Sequence, residues 1–196
     1  MLPVLKALRG VVAVPISIDT RRAVIAAKAL EMGAEIINDV SALADPAMAD
    51  VVARYGAGVV LMHGYKEHVA RRGCGGADNE PRPSARIGID EVEEFLEERV
   101  AFAVSRGIER AAIVIDPGLG FGKTNEESVA MLREARRLSR LGLPVLIGPS
   151  RKRFLAEMDE AHGAGDRDEA TAIAVRIAIE QGAAIVRVHE VKNLRI

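Results

Sequence analysis

The sequence has little of four residue types that carry distinctive chemistry. Its 196 residues include one cysteine, no tryptophan, two tyrosines and four phenylalanines. Cys74 cannot form an internal disulfide, and its glycine-rich surroundings lack a second cysteine or a histidine for a zinc-binding pair. We therefore expect a chain that works in a reducing compartment.

An excess of charge of one sign and long hydrophobic runs are also missing. The 27 basic and 28 acidic residues leave a formal net charge of −1, and 3% of residues are aromatic, which argues against a groove that binds nucleic acid. No apolar run approaches the roughly 18 residues of a membrane span, and Met1 to Gly10 has no cleavable signal pattern. We expect no membrane partner, a cytoplasmic location, and a single domain over residues 1–196.

Six short apolar runs alternate with helical patterns along the chain. The runs, each of a length and composition typical of a buried parallel strand, are Val11 to Ile18, Glu35 to Ile37, Gly58 to Met62, Ala111 to Ile115, Leu143 to Ile147 and Ala184 to Val188. The helical patterns are Arg21 to Met32, Pro46 to Arg54, Ile89 to Arg106, Asn125 to Leu141 and Asp168 to Gln181; the second ends at Tyr55-Gly56 and each of the others is followed directly by a glycine. This alternation predicts an α/β fold with a parallel sheet and helices outside it.

Two segments between these elements are given no chemistry. Gly64 to Gly88 is rich in Arg, Gly and Pro without apolar periodicity, which predicts a long mobile loop. Asp90 to Glu98 carries six acidic residues, and we interpret it as the solvated face of a helix with Val92, Leu96 and Val100 inward.

Polar side chains follow the predicted strands. These residues are Asp19, Thr20, Asn38, Asp39, His63, Asp116, Ser150, Arg187 and His189. The carboxyl ends of parallel strands form the ligand face both in barrels and in open sheets, so we expect these side chains to converge on one crevice. An alternative for Asp19, Asp39 and Ser150 is that each only caps the following helix. A histidine such as His189, taken alone, is more often a core residue than a ligand.

The residue types at the strand ends indicate two kinds of ligand group. A carboxylate accepts two parallel N–H groups and an amide complements a mixed edge, so Asp19, Asn38 and Asp116 suit a nitrogen heterocycle. Arg187 and His189 stand two apart on one predicted strand and share a face. Together with Lys152 they suit an anion such as a diphosphate.

A glycine-rich segment and a basic segment lie between the later strands. Asp116 to Thr124 ends in Gly-Lys-Thr but has neither the P-loop nor the dinucleotide spacing, so its glycines allow sharp turns near a ligand and Phe121 covers an aromatic ring. Ser150 to Leu155 places three cations at a predicted helix start, against the helix dipole. We interpret these cations as an anion-binding group, with a solvated basic turn as the alternative.

At these residues the sequence resembles the dihydropteroate synthases. The likeness covers nearly the whole chain, and its motifs are Ile16-Ser17-Ile18-Asp19-Thr20, Ile36-Ile37-Asn38-Asp39-Val40, Leu61-Met62-His63, Asp116 to Thr124, Ser150-Arg151-Lys152 and Arg187-Val188-His189. Each motif alone is weak, but their order is specific. The resemblance implies a (β/α)₈ TIM-barrel fold, with the active site at the carboxyl ends of the strands, and a homodimer.

The resemblance also implies an activity and a role for each matching residue. The family condenses 6-hydroxymethyl-7,8-dihydropterin diphosphate with para-aminobenzoate to give 7,8-dihydropteroate and diphosphate in folate biosynthesis, with Mg²⁺. The implied pterin-binding residues are Asp19, Asn38, Met62, Asp116, Phe121, Gly148 and Lys152. Arg187 and His189 bind the diphosphate, Lys152 and Arg153 bind para-aminobenzoate, and Lys152, Arg187 and His189 are the implied catalytic residues.

The chain departs from the family pattern at both ends. The family's first two strands, whose loops include the metal-linked asparagine, have no counterpart, and the chain stops before the last helix. We therefore expect about six βα units of a partial barrel that is inactive as an isolated fragment. We also expect no protein ligand for the metal. We expect a homo-oligomer or a complementing chain to cover the open strand edges. Two alternatives stay open: a non-catalytic pterin-binding or assembly protein, and a methyltetrahydrofolate-dependent methyltransferase, which shares the barrel and the pterin pocket.

Overall fold

The computed structural model describes residues 2–64, 86–157, 167–192 and 194. The helices in these ranges are α1 (Leu2–Leu8), α2 (Ala23–Glu31), α3 (Met48–Tyr55), α4 (Ile89–Ser105), α5 (Asn125–Arg133) and α6 (Arg167–Glu180). The strands are β1 (Ser17–Asp19), β2 (Ile36–Asp39), β3 (Gly58–Met62), β4 (Ile113–Asp116), β5 (Leu146–Ile147) and β6 (Ile185–Val186). Three 3₁₀ segments cover Arg110–Ala112, Ala135–Leu141 and Arg153–Glu157. The predicted alternation of strands and helices is confirmed.

The strand pairing is parallel wherever its register is given. One sheet has the order β1-β2-β3-β4, and β5 pairs with β6. In the first sheet Asp19 lies opposite Asn38, and Asn38 lies opposite Val60. A parallel bridge joins Ile115 to Val145. Parallel neighbours run in sequence order, as βα crossovers require.

The chain divides into two compact units. The first unit comprises Met1–Met62 and Leu96–Val114, and the second comprises His63–Phe95 and Ile115–Ile196. Fully buried side chains in the first include Ile37, Met48, Val52, Val59 and Leu61. Those in the second include Leu132, Leu138, Ile147, Val175 and Ala178. The expectation of one domain over residues 1–196 stays a prediction.

Several predicted boundaries are confirmed by local backbone and burial. α2, α3, α4 and α6 each end one or two residues before a glycine with positive φ; Gly56, for example, caps α3 in the left-handed conformation at φ 59°. Val92, Leu96 and Val100 of α4 are buried, as predicted. Within the described ranges no helix is long and apolar enough to cross a membrane.

Two predicted elements are wrong in part. The first strand begins at Ser17 rather than Val11, and Val11 and Val14 are 77% and 67% exposed. Pro15 explains the late start, because it has no N–H to give to a sheet. The helix predicted over Asn125 to Leu141 is α-helical only to Arg133 and then 3₁₀. This second part buries Ala135 and Leu138, which are three residues apart and share a face at the 3₁₀ period.

The loop predicted over Gly64 to Gly88 lies outside the described residues except for Gly64 and residues 86–88. Cys74 also lies outside them.

Candidate active site

The first unit brings Asp19 and Asn38 together at the ends of neighbouring strands. Asn38 Nδ2 donates a hydrogen bond of 3.0 Å to Asp19 Oδ2. Asn38 is buried, and its Oδ1 has no hydrogen-bond partner among the described residues. Buried acceptors are normally satisfied, so this oxygen is suited to an N–H group of a ligand. Met62, the third predicted pterin residue of this unit, ends β3 and is buried.

Asp39 closes a loop instead of facing a ligand or capping a helix. Its buried carboxylate accepts hydrogen bonds from the Ser41 N–H at 2.9 Å, the Ser41 hydroxyl at 2.6 Å and the Leu43 N–H at 2.8 Å. Ala42 and Leu43 both have positive φ, and Arg99 Nε donates to the Ala42 carbonyl oxygen at 2.8 Å. Asp39 therefore stabilises the loop that follows Asn38.

The alternative that the strand-end residues cap helices is wrong for Asp19 and Asp39. Neither side chain caps a helix: the residues at the starts of α2 and α3 are Arg22 and Ala47, and neither makes a capping bond.

In the second unit Ser150 Oγ accepts from the His189 N–H at 3.2 Å and lies 2.8 Å from His189 Nδ1.

Asp116 ends β4 in a buried position. Its Oδ1 accepts a hydrogen bond of 2.7 Å from the Gly118 N–H. Burial raises the pKa of the Asp116 carboxyl, while that N–H and the charges of Lys152, Lys123 and Arg187 act in the opposite direction. Asp116 thus has three cations around it and is suited to a ligand that presents N–H donors.

Lys123 holds the glycine-rich segment from inside. Its amine donates to the Gly118 carbonyl at 3.0 Å and the His63 carbonyl at 3.1 Å, and it lies 2.9 Å from His63 Nδ1. His63 is fully buried, with its ring 4.9 Å from that of Phe95. The expectation that His63 lies on the ligand face is therefore wrong, because it packs beneath the loop. The lysine bonds to its own loop, in agreement with the exclusion of a P-loop.

The turn after β5 places Lys152 beside the glycine-rich segment. The Lys152 amine donates to the Leu119 carbonyl oxygen and lies 4.7 Å from the centroid of the Phe121 ring. Burial lowers the pKa of the Lys152 amine; Asp116 raises it and Arg187 lowers it further. Phe121 is 40% exposed, so its ring is available to stack on a planar ligand.

A pocket of about 260 Å³ lies beside this lysine. It is lined by Gly120, Phe121, Lys123, Asn125, Arg151, Lys152, Arg153 and Phe154. Arg153 begins the 3₁₀ segment and is exposed, as an anion-binding cation would be. Arg151 has a different role from the one predicted, because its guanidinium makes a bidentate ion pair with Asp168. The predicted group of three anion-binding cations is therefore reduced to Lys152 and Arg153.

Arg187 and His189 do not share a strand. The last strand was predicted over Ala184 to Val188, but β6 ends at Val186, so both residues lie in the segment that follows it. Both are exposed, and the Arg187 N–H donates to the Ile147 carbonyl at 3.0 Å. A Cβ added to Gly148 would lie 3.8 Å from Arg187 Cβ, so the glycine lets these backbones approach. Arg187 acts on Asp116 and Lys152 through its charge.

Sequence reasoning missed the residues that support this site. Each of them bonds to a partner far away in the sequence. The separations are 60 positions for Lys123 and His63, 17 for Asp168 and Arg151, and 57 for Arg99 and the Ala42 carbonyl. Arg99 gave one usable signal, since it is a charged residue next to the buried face of a predicted helix.

The described residues do not fit a magnesium site. No group of three or more His, Cys, Asp or Glu side chains that could hold a metal ion occurs in these ranges. Divalent magnesium requires several oxygen ligands, and the side chains in these ranges do not bring them together.

The sequence and the fold match one family. The sequence model of the family described as pterin binding enzyme matches residues 1–189. Among individual relatives, the dihydropteroate synthase of Synechocystis is 38% identical over 196 residues, covering 98% of this chain and 64% of that protein. The dihydropteroate synthase of Mycobacterium leprae is 41% identical over 198 residues, covering 98% and 67%.

Solved structures give the same result. The dihydropteroate synthase from Xanthomonas albilineans in complex with 7,8-dihydropteroate superimposes with a TM-score of 0.85 at 36% identity, covering 99% of this chain and 68% of that one. The enzyme from Thermus thermophilus in complex with 6HMPPP gives 0.84 at 35% identity, covering 100% and 72%.

These matches confirm the predicted fold class, an α/β chain of the (β/α)₈ type with six strands in the described ranges. The chain spans less than two thirds of the length of the Synechocystis relative. Because the match covers residues 1–189 and so includes every strand-end motif, the chain belongs to the pterin binding enzyme family.

Proposed function

We propose that this chain, assembled with a partner and not as an isolated fragment, carries out the dihydropteroate synthase reaction, condensing a hydroxymethyl-dihydropterin diphosphate with para-aminobenzoate. The observation that carries the proposal is the group formed by Asp116, Lys152 and Phe121. It combines a buried carboxylate, a half-buried lysine and a partly exposed ring. The two relatives described above, both dihydropteroate synthases, support the same activity.

In this proposal Asp116 and Lys152 hold the pterin. The carboxylate accepts two N–H groups of the pterin ring, and the amine donates to a ring acceptor. Phe121 lies beside that amine and stacks on a planar ring. We propose the same ligand for Asp19, Asn38, Met62 and Gly148; the unsatisfied Asn38 Oδ1 supports this for the first unit.

The chemistry then needs charge stabilisation rather than a covalent nucleophile. The bond between the pterin methylene carbon and the diphosphate oxygen breaks, and its electron pair leaves with the diphosphate. Arg187 and His189 stabilise that developing negative charge. The para-aminobenzoate nitrogen attacks the electron-poor methylene carbon and loses a proton to solvent. Lys152 and Arg153 bind its carboxylate in the pocket of about 260 Å³.

We also propose a partner for the chain. At β1 one backbone edge has no neighbouring strand among the described residues, and unpaired edges favour association. The partner is a second copy or a complementing chain, in the cytoplasm. Sedimentation velocity over a wide range of concentrations is the measurement, and a stable monomer throughout would contradict this proposal.

The test of function separates binding from turnover. The purified chain is titrated calorimetrically with a non-hydrolysable pterin diphosphate analogue, with and without Mg²⁺. Asp116→Asn removes the charge without changing side-chain size, and we expect the affinity to fall at least about 100-fold, because hydrogen bonds to charged groups are worth about 1.5–3 kcal/mol each. Asp90→Asn removes an exposed carboxylate whose side chain is 84% exposed, so it serves as the matched control.

Each outcome has a distinct meaning. Binding that Asp116→Asn abolishes, together with formation of 7,8-dihydropteroate from para-aminobenzoate, supports the proposal. Binding without product by the chain assembled with its partner identifies a non-catalytic pterin-binding protein, and transfer of a methyl group from methyltetrahydrofolate identifies a methyltransferase. No binding by the folded wild-type chain contradicts the proposed pterin site. An effect of Mg²⁺ on affinity tests the magnesium prediction, which rests on the resemblance alone.

A further inference from the structure

Arg151 adopts a backbone conformation that its side chain disfavours. Its φ is 57°, in the left-handed region, where an L-residue with a long side chain is strained. It stands between Ser150 and Lys152, in the turn that follows β5. Such a conformation persists only when surrounding contacts hold it.

Helix α6 supplies these contacts from its first two turns. The Arg151 N–H donates to Thr171 Oγ1 at 3.2 Å. The Arg151 guanidinium donates from Nε to Asp168 Oδ1 at 2.9 Å and from a terminal nitrogen to Asp168 Oδ2 at 3.2 Å. A two-point pair of this kind fixes the direction of the guanidinium plane as well as its distance. Both the backbone and the side chain of Arg151 are therefore held by α6.

The neighbouring residue is the one that this conformation serves. Lys152 directs its amine to the Leu119 carbonyl and over the Phe121 ring. A change of φ at Arg151 rotates the chain on either side of it and would carry Lys152 away from both. Ser150 is held separately through His189, so the turn has little other freedom to compensate.

We propose that Asp168 is a positioning residue for Lys152: through Arg151 it holds the turn in the left-handed conformation that points the Lys152 amine at Phe121 and Leu119. Its importance for ligand binding rests on the proposed function, whereas its effect on the lysine does not. The pair is part-exposed, with side chains 44% and 31% accessible, and such pairs contribute little to global stability. The contribution of Asp168 is therefore local.

The first experiment needs no ligand. Acylation of the Lys152 amine by a water-soluble anhydride is measured by mass spectrometry as a function of pH in the wild-type chain, Asp168→Asn and Glu169→Gln. Glu169→Gln removes the same charge from the next position of the same helix. We expect Asp168→Asn to raise the plateau rate constant at high pH, which reports acylation of the deprotonated Lys152 amine, about tenfold, because the half-buried amine becomes more accessible. The midpoint of the pH profile should move up towards that of an ordinary lysine. Glu169→Gln should leave both unchanged.

A rescue variant separates positioning from a simple charge effect. Glycine adopts the left-handed conformation without help, so Arg151→Gly should make Asp168 dispensable. In the Arg151→Gly background, Asp168→Asn should change Lys152 acylation less than about twofold, within the usual error of additivity. An equal effect of Asp168→Asn in both backgrounds would overturn the proposal. So would a wild-type rate in Asp168→Asn alone.

Folding and function are followed beside this measurement. Thermal unfolding should be nearly the same in all variants, and a loss of the fold in Asp168→Asn would overturn the local role. If the pterin analogue binds, Asp168→Asn should weaken its affinity about tenfold and Arg151→Gly should restore it. If no variant binds the analogue, the proposed function fails while the acylation result still decides the role of Asp168.

Discussion

Replacing Asp39 tests how the loop after β2 is held. The buried carboxylate accepts three hydrogen bonds, from the Ser41 N–H, the Ser41 hydroxyl and the Leu43 N–H. Asp39→Ala leaves the two N–H groups without their acceptor, at about 1–3 kcal/mol each. It also releases two successive residues of positive φ, Ala42 and Leu43, from the contact that holds them. We expect the free energy of unfolding to fall by about 3–5 kcal/mol, a large part of the 5–15 kcal/mol typical of a domain.

The measurement is equilibrium unfolding in urea followed by far-ultraviolet circular dichroism. Ser41→Ala is the matched control, since it removes only the hydroxyl bond and should cost about 1 kcal/mol. The m-value should stay constant, so that a shift of the midpoint reports stability alone. A cost below about 1 kcal/mol for Asp39→Ala, or an equal cost for the two variants, would refute the reasoning that this carboxylate organises the loop.

Three further predictions concern the second unit. Thr124→Ala removes the side chain that caps α5 and should lower the free energy of unfolding by about 1 kcal/mol. Glu127→Ala should lower it more, because the buried Glu127 carboxylate accepts hydrogen bonds from both the Thr124 and the Ile87 N–H groups. Urea unfolding measures both effects. Lys123→Met leaves the carbonyl oxygens under the glycine-rich segment without their donor and should cost about 2–4 kcal/mol by the same measurement. Because the pKa of Asp116 is raised, the folded state binds the carboxyl proton more tightly than the unfolded state does. The stability of the fold should therefore fall as pH rises from the ordinary carboxyl pKa to the pKa in the folded state. Thermal melting of Asp116→Asn as a function of pH should lack this fall.

The order of the elements was predictable because it depends on local patterns. Gly58 to Met62 was predicted without error, since five consecutive apolar or small residues between polar turns have few other structures. The predicted start of the first strand failed at Pro15, whose effect on a ladder outweighs the apolar character of Val11 to Val14. The 3₁₀ segment after α5 was not predicted because the i, i+3 spacing of its apolar residues Ala135 and Leu138 fits both an α-helix and a 3₁₀ helix.

The site was predictable only where a residue's position followed from the end of a strand. Asp19 and Asp116 end the first and fourth strands, Asn38 is the penultimate residue of the second, and the parallel register sets Asp19 opposite Asn38. The orientation of Arg151 did not follow from its neighbours, because an acidic residue 17 positions later determines it. The burial of His63 likewise depends on a lysine 60 positions away. Partners at such distances are set by packing, to which a single sequence gives no direct access.

Because each unit consists of two separate stretches of chain, neither unit is complete until its second stretch has been synthesised. Residues 1–62 leave the ribosome before Leu96–Val114, the stretch that completes the first unit. Arg99 supplies the donor for the Ala42 carbonyl 57 positions earlier. At translation rates of about 5–20 residues per second, that carbonyl waits roughly 3–11 s for its partner. Throughout this interval the first unit lacks Val100, Ala103 and Ile113, which are buried in the finished protein, so its core is complete only after the second stretch has been made.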